Sequence, residues 1–314
     1  AHRRARRVTT ASTLVILGPT ASGKSDVAMA LAAAHDDAEI VAVDAMQVYR
    51  GMDIGTAKPS HADRARVPHR CLDLVDAGDE FALADYADAA RRALAEIDGR
   101  GHRAVLVAGT GLYLRSITDR MEVPGRWPEL RAELDARVEA EGVEALHRQL
   151  AELDPIAAGK MESNNARRVV RALEVTLGGG RPFSSYGPGI DTYPPVPFIQ
   201  FGLQWPRPVL AMRISERVHR MLDAGLVAEV ESLAGAPISR TARQALGYKE
   251  LLDFLAGSCT LEAAIETIIT RTRQFAVRQE RWFRRDPRIR WITIEDDPVT
   301  AALPVLERAW QTSN

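Results

Sequence analysis

The stretch "GPTASGKS", residues 18–25, matches the pattern G-x-x-x-x-G-K-[ST] at every fixed position. It follows the apolar, β-branched run "TLVIL", which is typical of a central parallel strand, and precedes "SDVAMALAAAH", which has helical periodicity. A glycine-rich turn between strand and helix curls the backbone, so that its N–H groups and the helix N-terminus face an anion. The stretch therefore predicts a loop that binds a diphosphate or a triphosphate.

Alternation of strands and helices on either side of this loop predicts the fold class. Three further strands are predicted at "EIVAVDA" (residues 39–45), "AVLVAGT" (104–110) and "VPFIQFGLQW" (196–205). An amphipathic helix, "FALADYADAARRALAEIDGRG", separates two of them. We therefore expect an α/β fold, with a P-loop-type parallel sheet flanked by helices on both faces.

A change of character in the middle of the chain predicts a second domain. Residues 127–177 read as almost entirely helical, and "GGGRPFSSYGPGIDTYPPVP" then forms a Gly/Pro-rich loop. Helices dominate again from residue 207, and we expect the chain to finish with an edge strand at "RIRWITI". The predicted domains are an α/β core with C-terminal helices over 8–122 and 196–314, and a helical insertion with its loop over 123–195.

Composition excludes several classes of protein. The 314-residue chain has a formal net charge of −1, so any nucleic-acid surface must be a local patch. Its two cysteines lack metal-ligand spacing, and no apolar run approaches the roughly 20 residues that cross a bilayer. We interpret the basic first dozen residues as a frayed start, and we expect a cytoplasmic protein with free thiols and no membrane partner.

Two strand ends carry the candidate chemistry. "VLVAGTGLY" (residues 105–113) has Thr110 where nucleotide hydrolases often place an acid that helps hold Mg²⁺. Asp44 ends the second predicted strand, at the edge where open α/β sheets bind ligands. The residues alone leave three roles open for Asp44: a Mg²⁺ contact through water, a general base, or the cap of a following turn.

An arginine-rich segment near the C-terminus is the candidate nucleic-acid surface. Residues 271–290 contain eight arginines and only two acids. In a helix, Arg271, Arg278 and Arg285 would form one stripe, beside an apolar stripe that starts at Ile268. We expect the apolar stripe to pack in the core and the arginines to face phosphates.

Several motifs, taken in order, resemble the tRNA dimethylallyltransferase family. The first four are "GPTASGKS", "DAMQVYRGMDIGTAKP", "PHRCLD" and "GTGLY". The later ones are "LHRQLAELDP", "NNARRVVRALEV", "RISERVHRML", "RQALGYKE" and "RQERWFRR", so the resemblance spans nearly the whole chain. It implies transfer of a dimethylallyl group from dimethylallyl diphosphate to the exocyclic N6 of the adenosine 3′ to the anticodon. Diphosphate leaves and no ATP is hydrolysed, which would explain the missing acid.

The resemblance also implies roles for individual residues. Asp44 matches the family's base, Thr110 its contact between amine and diphosphate, and Arg217 a catalytic arginine on the diphosphate. Mg²⁺ is the implied cofactor, with Ser25 as its ligand. The residues implied to bind diphosphate are Gly18, Pro19, Thr20, Ala21, Ser22, Gly23, Lys24, Ser25 and Arg213.

The implied partners are the tRNA anticodon loop and dimethylallyl diphosphate, and we expect a monomer. Arg131 and the segments around Asp44, "NNARRVVR", "RQALGY" and "RQERWFRR" match family contacts to tRNA. The residues implied to contact tRNA are Asp44, Ala45, Met46, Gln47, Thr110, Arg131, Arg167, Arg168, Arg171, Arg243, Gln244, Gly247, Tyr248, Arg278, Gln279, Arg281 and Arg285.

Two departures and three rival functions remain. The chain has Ala45 where the family usually has Ser, and Ala108 where it usually has Gly, which affects fine site geometry more than activity. The main rival is an ATP-dependent small-molecule kinase with the same phosphate-binding loop. The others are an isopentenyltransferase for free adenine nucleotides and a non-catalytic RNA-binding protein.

Overall fold

The chain forms two compact units in a computed structural model that describes residues 13–187 and 189–312. The first, the core unit, comprises the residues up to 118 and those from 195 onward; the second, the insertion unit, comprises residues 119–194. The expectation for the first dozen residues lies outside the described part of the chain. Within that part, every helix is too short or too polar to cross a membrane.

A six-stranded sheet forms the centre of the core unit. The strands are β1 (Thr13–Leu17), β2 (Ala38–Val43), β3 (His69–Arg70), β4 (Arg103–Ala108), β5 (Phe198–Gln204) and β6 (Ile289–Thr293). They lie in the order β3-β2-β4-β1-β5-β6, and every neighbouring pair is parallel. The parallel sheet predicted from the alternation of elements is therefore confirmed.

Fourteen helices surround this sheet or build the insertion unit within the described residues. In chain order they are α1 (Lys24–Ala33), α2 (His61–Arg66), α3 (Leu83–Gly99), α4 (Gly111–Thr118), α5 (Pro128–Glu141), α6 (Val143–Leu153), α7 (Pro155–Ala158), α8 (Ala166–Gly179), α9 (Arg207–Asp223), α10 (Leu226–Ala234), α11 (Arg240–Arg243), α12 (Tyr248–Leu255), α13 (Leu261–Phe283) and α14 (Pro298–Gln311). The helices α5 to α8 belong to the insertion unit.

Side chains of β1 alternate between two buried faces, which is why both faces of the sheet carry helices. Leu14 and Ile16 pack in a cluster with residues of α1 and α14. Val15 and Leu17 pack in the opposite cluster, which includes residues of α3, α4, α12 and α13. All five β1 residues are buried, as expected for the central strands of a parallel sheet.

The register of the sheet aligns the carboxyl ends of β1, β2 and β4. Leu17 of β1 pairs with Ala108 of β4, and Val43 of β2 pairs with that same alanine. The residues that follow these strands are Gly18, Asp44 and Gly109. The sheet therefore places the phosphate loop, the candidate base and the "GTG" turn side by side at the edge where open α/β sheets bind ligands.

The insertion unit has its own apolar core. Leu134 of α5, Leu146 and Leu150 of α6, and Val169 and Leu173 of α8 are buried together. The Gly/Pro-rich segment that follows α8 contains one 3₁₀ turn, Phe183–Ser185. Four helices packed on one such core account for the helical composition of the segment.

Three elements differ in detail from the sequence expectations. The edge strand β3, with only two residues, carried no detectable pattern. The edge strand predicted at "RIRWITI" is confirmed as β6, but it is not the last element described, because α14 follows it and packs against α1. The helix α13 ends at Phe283, so Arg285 lies beyond it.

Candidate functional site

Side chains from distant parts of the core unit hold the phosphate loop in its curled form. Trp205 donates from its indole Nε1 to the carbonyl oxygen of Ser22 (3.0 Å), and Arg213 donates from Nε to that of Ala21 (3.0 Å). Gly23 caps α1 with φ 84°, and a methyl group there would lie 2.4 Å from Pro298. Only glycine fits this turn, because the backbone is left-handed and α14 lies directly against it.

Lys24 is the first residue of α1, and its ammonium group lies 3.3 Å from the carbonyl oxygen of Pro19. Burial, followed by the charge of Arg217, lowers the pKa of Lys24 to about 8. Asp44 and Asp26 oppose this shift. A poorly solvated cation next to a second cation is stabilised by an anionic ligand, which would raise its pKa again.

Helix α9 supplies the second group of cations. Arg213 and Arg217 are four residues apart and so lie one above the other on the same face. The Arg213 guanidinium stacks over the Trp205 ring at 4.3 Å from its centroid. Burial lowers the pKa of Arg217, while the charges of Asp44 and Asp26 raise it. The helix therefore turns two arginines towards the loop and the end of β2.

Asp44 uses its two carboxylate oxygens differently. Oδ1 accepts hydrogen bonds from the backbone N–H groups of Met46 (2.8 Å) and Gln47 (3.4 Å), so the residue caps the turn after β2. Oδ2 faces Gly109: a methyl group on Gly109 would lie 3.5 Å from this oxygen and 3.5 Å from Cε of Lys24. The carboxylate and the loop lysine therefore converge on the same point at the strand ends.

Thr110 follows Gly109 and lies half-buried at the start of α4. Its carbonyl oxygen accepts the N–H of Leu114 (3.0 Å), which closes the first turn of the helix. The neighbouring carbonyl oxygen, that of Gly109, is bound by the side chain of Gln279 (2.7 Å). The structure thus brings Asp44, Thr110, Lys24 and the two arginines of α9 to one end of the sheet.

Comparison with known proteins identifies the family. Residues 47–286 match the profile described as IPP transferase, and residues 11–72 match that described as isopentenyl transferase. The chain belongs to the IPP transferase family. A tRNA dimethylallyltransferase of Pseudarthrobacter chlorophenolicus is 46% identical over 290 residues, which cover 92% of this chain and 95% of the relative.

Solved structures of the IPP transferase family share the fold. The full-length tRNA isopentenylpyrophosphate transferase of Bacillus halodurans is 36% identical, with a TM-score of 0.68, covering 96% of this chain and 97% of that one. A eukaryotic dimethylallyltransferase acting on tRNA is 26% identical, with a TM-score of 0.74, covering 90% of this chain and 74% of that one. The family thus extends over almost the whole chain.

Several residues that the resemblance assigns to tRNA contact hold the IPP transferase core together. The Gln47 side chain donates to the carbonyl oxygens of Thr56 (3.0 Å) and Ala57 (3.2 Å). Tyr248 is 2% exposed, and its ring packs against Gly55. Burial, together with a hydrogen bond to Glu229, raises the pKa of the Tyr248 hydroxyl. A contact with tRNA stays a prediction for Gln47 and Tyr248. Both side chains already form hydrogen bonds within the core unit.

Glu229 is a structural residue that sequence reasoning missed. Its carboxylate accepts the backbone N–H groups of Asp53 (3.0 Å), Ile54 (2.7 Å) and Gly55 (3.2 Å), besides the Tyr248 hydroxyl. It thereby fixes the "DIGTAKP" loop from a helix 174 residues later in the chain. Nothing local to Glu229 signals this role, because its partners are backbone groups brought near only by folding.

Two predicted tRNA contacts of the insertion unit lie beside a buried carboxylate. Arg171 is 3.0 Å from Glu174, and Arg131 is 3.8 Å from it and 3.0 Å from Asp135. These ion pairs use some of the N–H groups of each guanidinium. The other two predicted contacts on this unit, Arg167 and Arg168, are exposed on the first turn of α8.

Five of the remaining predicted tRNA contacts of the core unit are exposed, and they lie on two segments. Arg278 and Arg281 lie on α13, and Arg285 lies just beyond its end. The others are Arg243 and Gln244, while Gly247 is buried and donates its N–H to Glu250.

Arg271, by contrast, is paired with an acid from another helix. Its guanidinium binds the buried carboxylate of Glu250 at 2.6 Å. For Arg271, a phosphate-facing role stays a prediction, and the structure adds a buried acid from outside the segment that pairs with its charge. Arg278 and Arg281 remain exposed on the same helix.

Proposed function

We propose that the chain transfers the dimethylallyl group of dimethylallyl diphosphate to the exocyclic N6 of the adenosine 3′ to the anticodon in tRNA. The observation that carries this proposal is the convergence of Asp44 Oδ2 and the Lys24 side chain beside Gly109 in a member of the IPP transferase family. A base for the acceptor and a cation for the leaving group then lie close to the same point.

On the donor side, the C–O bond to the diphosphate breaks and its electron pair leaves with the diphosphate. Lys24, the N–H groups of the loop, Arg213 and Arg217 can stabilise the negative charge that accumulates there. Preorganised cations and N–H groups aimed at developing charge are the largest single contribution in many enzymes. The lowered pKa of Lys24 reflects a site arranged for such an anion.

On the acceptor side, the N6 lone pair forms the new C–N bond while a proton leaves the amine. This amine is a poor nucleophile because its lone pair is delocalised into the adenine ring. Asp44 Oδ2 is the base that accepts the proton, and the turn held by Oδ1 fixes its direction. The Thr110 hydroxyl, which can donate and accept, would bridge the amine and the diphosphate.

The hydroxyl of Ser25 suits Mg²⁺, which it would hold together with the diphosphate oxygens. Ser25 is exposed at the first turn of α1. Among the residues the structure describes there is no cluster of three His, Cys, Asp or Glu side chains that could hold a metal. Mg²⁺ usually needs no such cluster, because one or two protein oxygens join the substrate phosphates around it. When bound, Mg²⁺ would supply positive charge to the diphosphate.

The proposed partner is the anticodon loop of a tRNA, which presents unstacked bases. A base in such a loop can turn out of its stack into a pocket at low cost. The exposed arginines Arg278, Arg281 and Arg285 would contact its phosphates. We propose a monomer that acts in the cytoplasm, where tRNA is found.

Transfer of label tests this function. Radiolabelled dimethylallyl diphosphate, Mg²⁺ and unmodified tRNA should give labelled tRNA and free diphosphate, with the label on N6 after nuclease digestion. A small-molecule kinase is the alternative, and relatives 46% identical are named for dimethylallyl transfer instead. Turnover of ATP on a metabolite, with no label in tRNA, would reject the proposal.

A further inference from the structure

Helix α13 reaches the site through a buried glutamine. Gln279 is 7% exposed. Its Oε1 accepts the backbone N–H of Thr20 in the phosphate loop at 2.9 Å, and its Nε2 donates to the carbonyl oxygen of Gly109 at 2.7 Å. One side chain therefore joins the two turns that carry the donor site and Thr110.

The next turn of α13 makes a second contact with the same segment. Trp282, three residues after Gln279, lies against Gly111: a methyl group there would be 2.0 Å from its indole ring. Gln279 therefore contacts the residue before Thr110, and Trp282 contacts the residue after it. Since Gly111 admits no side chain at this point, the helix and the turn are in direct contact and cannot shift independently.

The opposite side of these two turns is exposed. Arg278 and Arg281 are on the surface, and the Arg278 guanidinium lies 5.8 Å from the centroid of Phe275. At the adjacent positions 278 and 279 of this 23-residue helix, the arginine is therefore exposed and the glutamine is buried. A side chain buried and bonded at both ends is poorly placed to contact RNA.

We propose that Gln279 is a positioning residue that fixes the distance between the phosphate loop and the turn containing Thr110. The inference rests on the proposed function, because it assigns the two turns to donor and acceptor. It replaces a tRNA contact, the role that the resemblance implies for this residue. The amide suits the bridge because it donates with one end and accepts with the other.

Loss of the bridge should affect the chemical step more than binding of RNA. A misplacement of about 1 Å between reacting groups costs on the order of 100-fold in rate. Gln279→Met keeps the volume of the side chain and removes both hydrogen bonds. We expect kcat at saturating tRNA to fall roughly 10- to 100-fold, with the Kd for tRNA within about twofold of the wild-type value.

Gln274→Met is the matched control, because Gln274 is an exposed glutamine on the same helix. It should leave kcat and the Kd for tRNA unchanged. Thermal unfolding of both variants reports whether the fold is intact. Kd is measured by filter binding without donor, and kcat by label transfer under saturating tRNA and dimethylallyl diphosphate.

Gln279→Glu gives a readout that a purely structural role would not move. An ionised carboxylate there repels the carbonyl oxygen of Gly109, whereas the protonated group donates to it as the amide does. Burial raises the pKa of such a carboxyl above its usual 4.3 or so. We therefore expect the ratio of variant to wild-type kcat to rise roughly fivefold from about pH 8 to about pH 5.5.

Two outcomes would overturn the positioning role. One is a wild-type kcat for Gln279→Met at saturating tRNA with a tenfold weaker Kd for tRNA, which would make the residue an RNA contact. The other is a variant-to-wild-type kcat ratio for Gln279→Glu that does not change with pH. Should Gln279→Met fail to fold, the pH profile of Gln279→Glu decides alone.

Failure of the proposed function is distinguishable from failure of the bridge. A wild-type chain that transfers no label to tRNA rejects the function. Calorimetric titration with inorganic pyrophosphate and Mg²⁺ then still tests the bridge, because Thr20 lies in the phosphate loop. Binding weakened several-fold by Gln279→Met but not by Gln274→Met supports it, and equal binding by all three proteins overturns it.

Discussion

At the scale of the residue, Asp44 caps a turn, which is one of the roles that the sequence left open, and we propose the base as its second role. One oxygen caps the turn at Met46 and Gln47, and the other faces Gly109 and Lys24. The residue type and its place at a strand end were predictable from the pattern. The division of work between the oxygens was not, because it depends on how β2 and β4 lie beside each other.

A pair of substitutions separates these two roles. Asp44→Ala removes both the cap and the base, whereas Asp44→Asn keeps an oxygen that can accept from the turn. We expect both variants to lose about 10²- to 10⁴-fold in kcat, and only Asp44→Ala to lower Tm clearly. The Kd for tRNA should stay near the wild-type value in both. Wild-type kcat in Asp44→Asn would restrict the residue to its structural role.

At the scale of the element, α13 carries exposed arginines on one side and buried residues on the other. Its arginine content was evident from the sequence, and Ile268 is buried as its spacing predicts. The pairing of Arg271 with Glu250 was not evident, because the acid lies on another helix. The net charge counted along one segment is therefore too positive wherever a buried acid of another element pairs with one of its arginines.

Charge reversal on this helix tests whether it contacts RNA. Arg278→Glu with Arg281→Glu should weaken tRNA binding at least tenfold and reduce the salt dependence of Kd, since each lost phosphate contact lowers the slope by roughly one. Arg91→Glu with Arg92→Glu on α3 is the control of equal charge change, and should have little effect. If both pairs weaken binding equally, the effect is one of net charge and α13 is not a specific contact surface.

At the scale of the whole molecule, the chain divides into two units with separate cores. The insertion unit buries Leu134, Leu146 and Leu173 among its own helices, and the carboxylate of Glu174 accepts the N–H of Trp127 within it. The composition of residues 127–177 predicted a helical segment as a whole. Which faces pack together could not be predicted, because several faces carry apolar residues and only the packed arrangement satisfies the buried acid.

Independent folding of the insertion unit follows from this separation. Residues 119–194 alone should show a helical circular dichroism spectrum and a cooperative urea transition. Leu146→Ala should destabilise that fragment by about 2–5 kcal/mol, since Leu146 is fully buried. Leu153→Ala is the control, because Leu153 is 41% exposed. A fragment with no cooperative transition would show that its stability depends on the core unit.

The sequence by itself determined the phosphate loop, the parallel α/β class, the helical insertion and the motifs that resemble the family. Each of these is a local pattern, in which spacing along the chain sets which backbone groups or faces are presented together. Tertiary structure alone decided the direction of the second oxygen of Asp44, the hydrogen bonds of Glu229 to the "DIGTAKP" loop, the ion pair of Arg271 and the bridge at Gln279. Each joins residues far apart in sequence, such as Thr20 and Gln279 at a separation of 259 residues. Their distances are fixed only once strands and helices have packed.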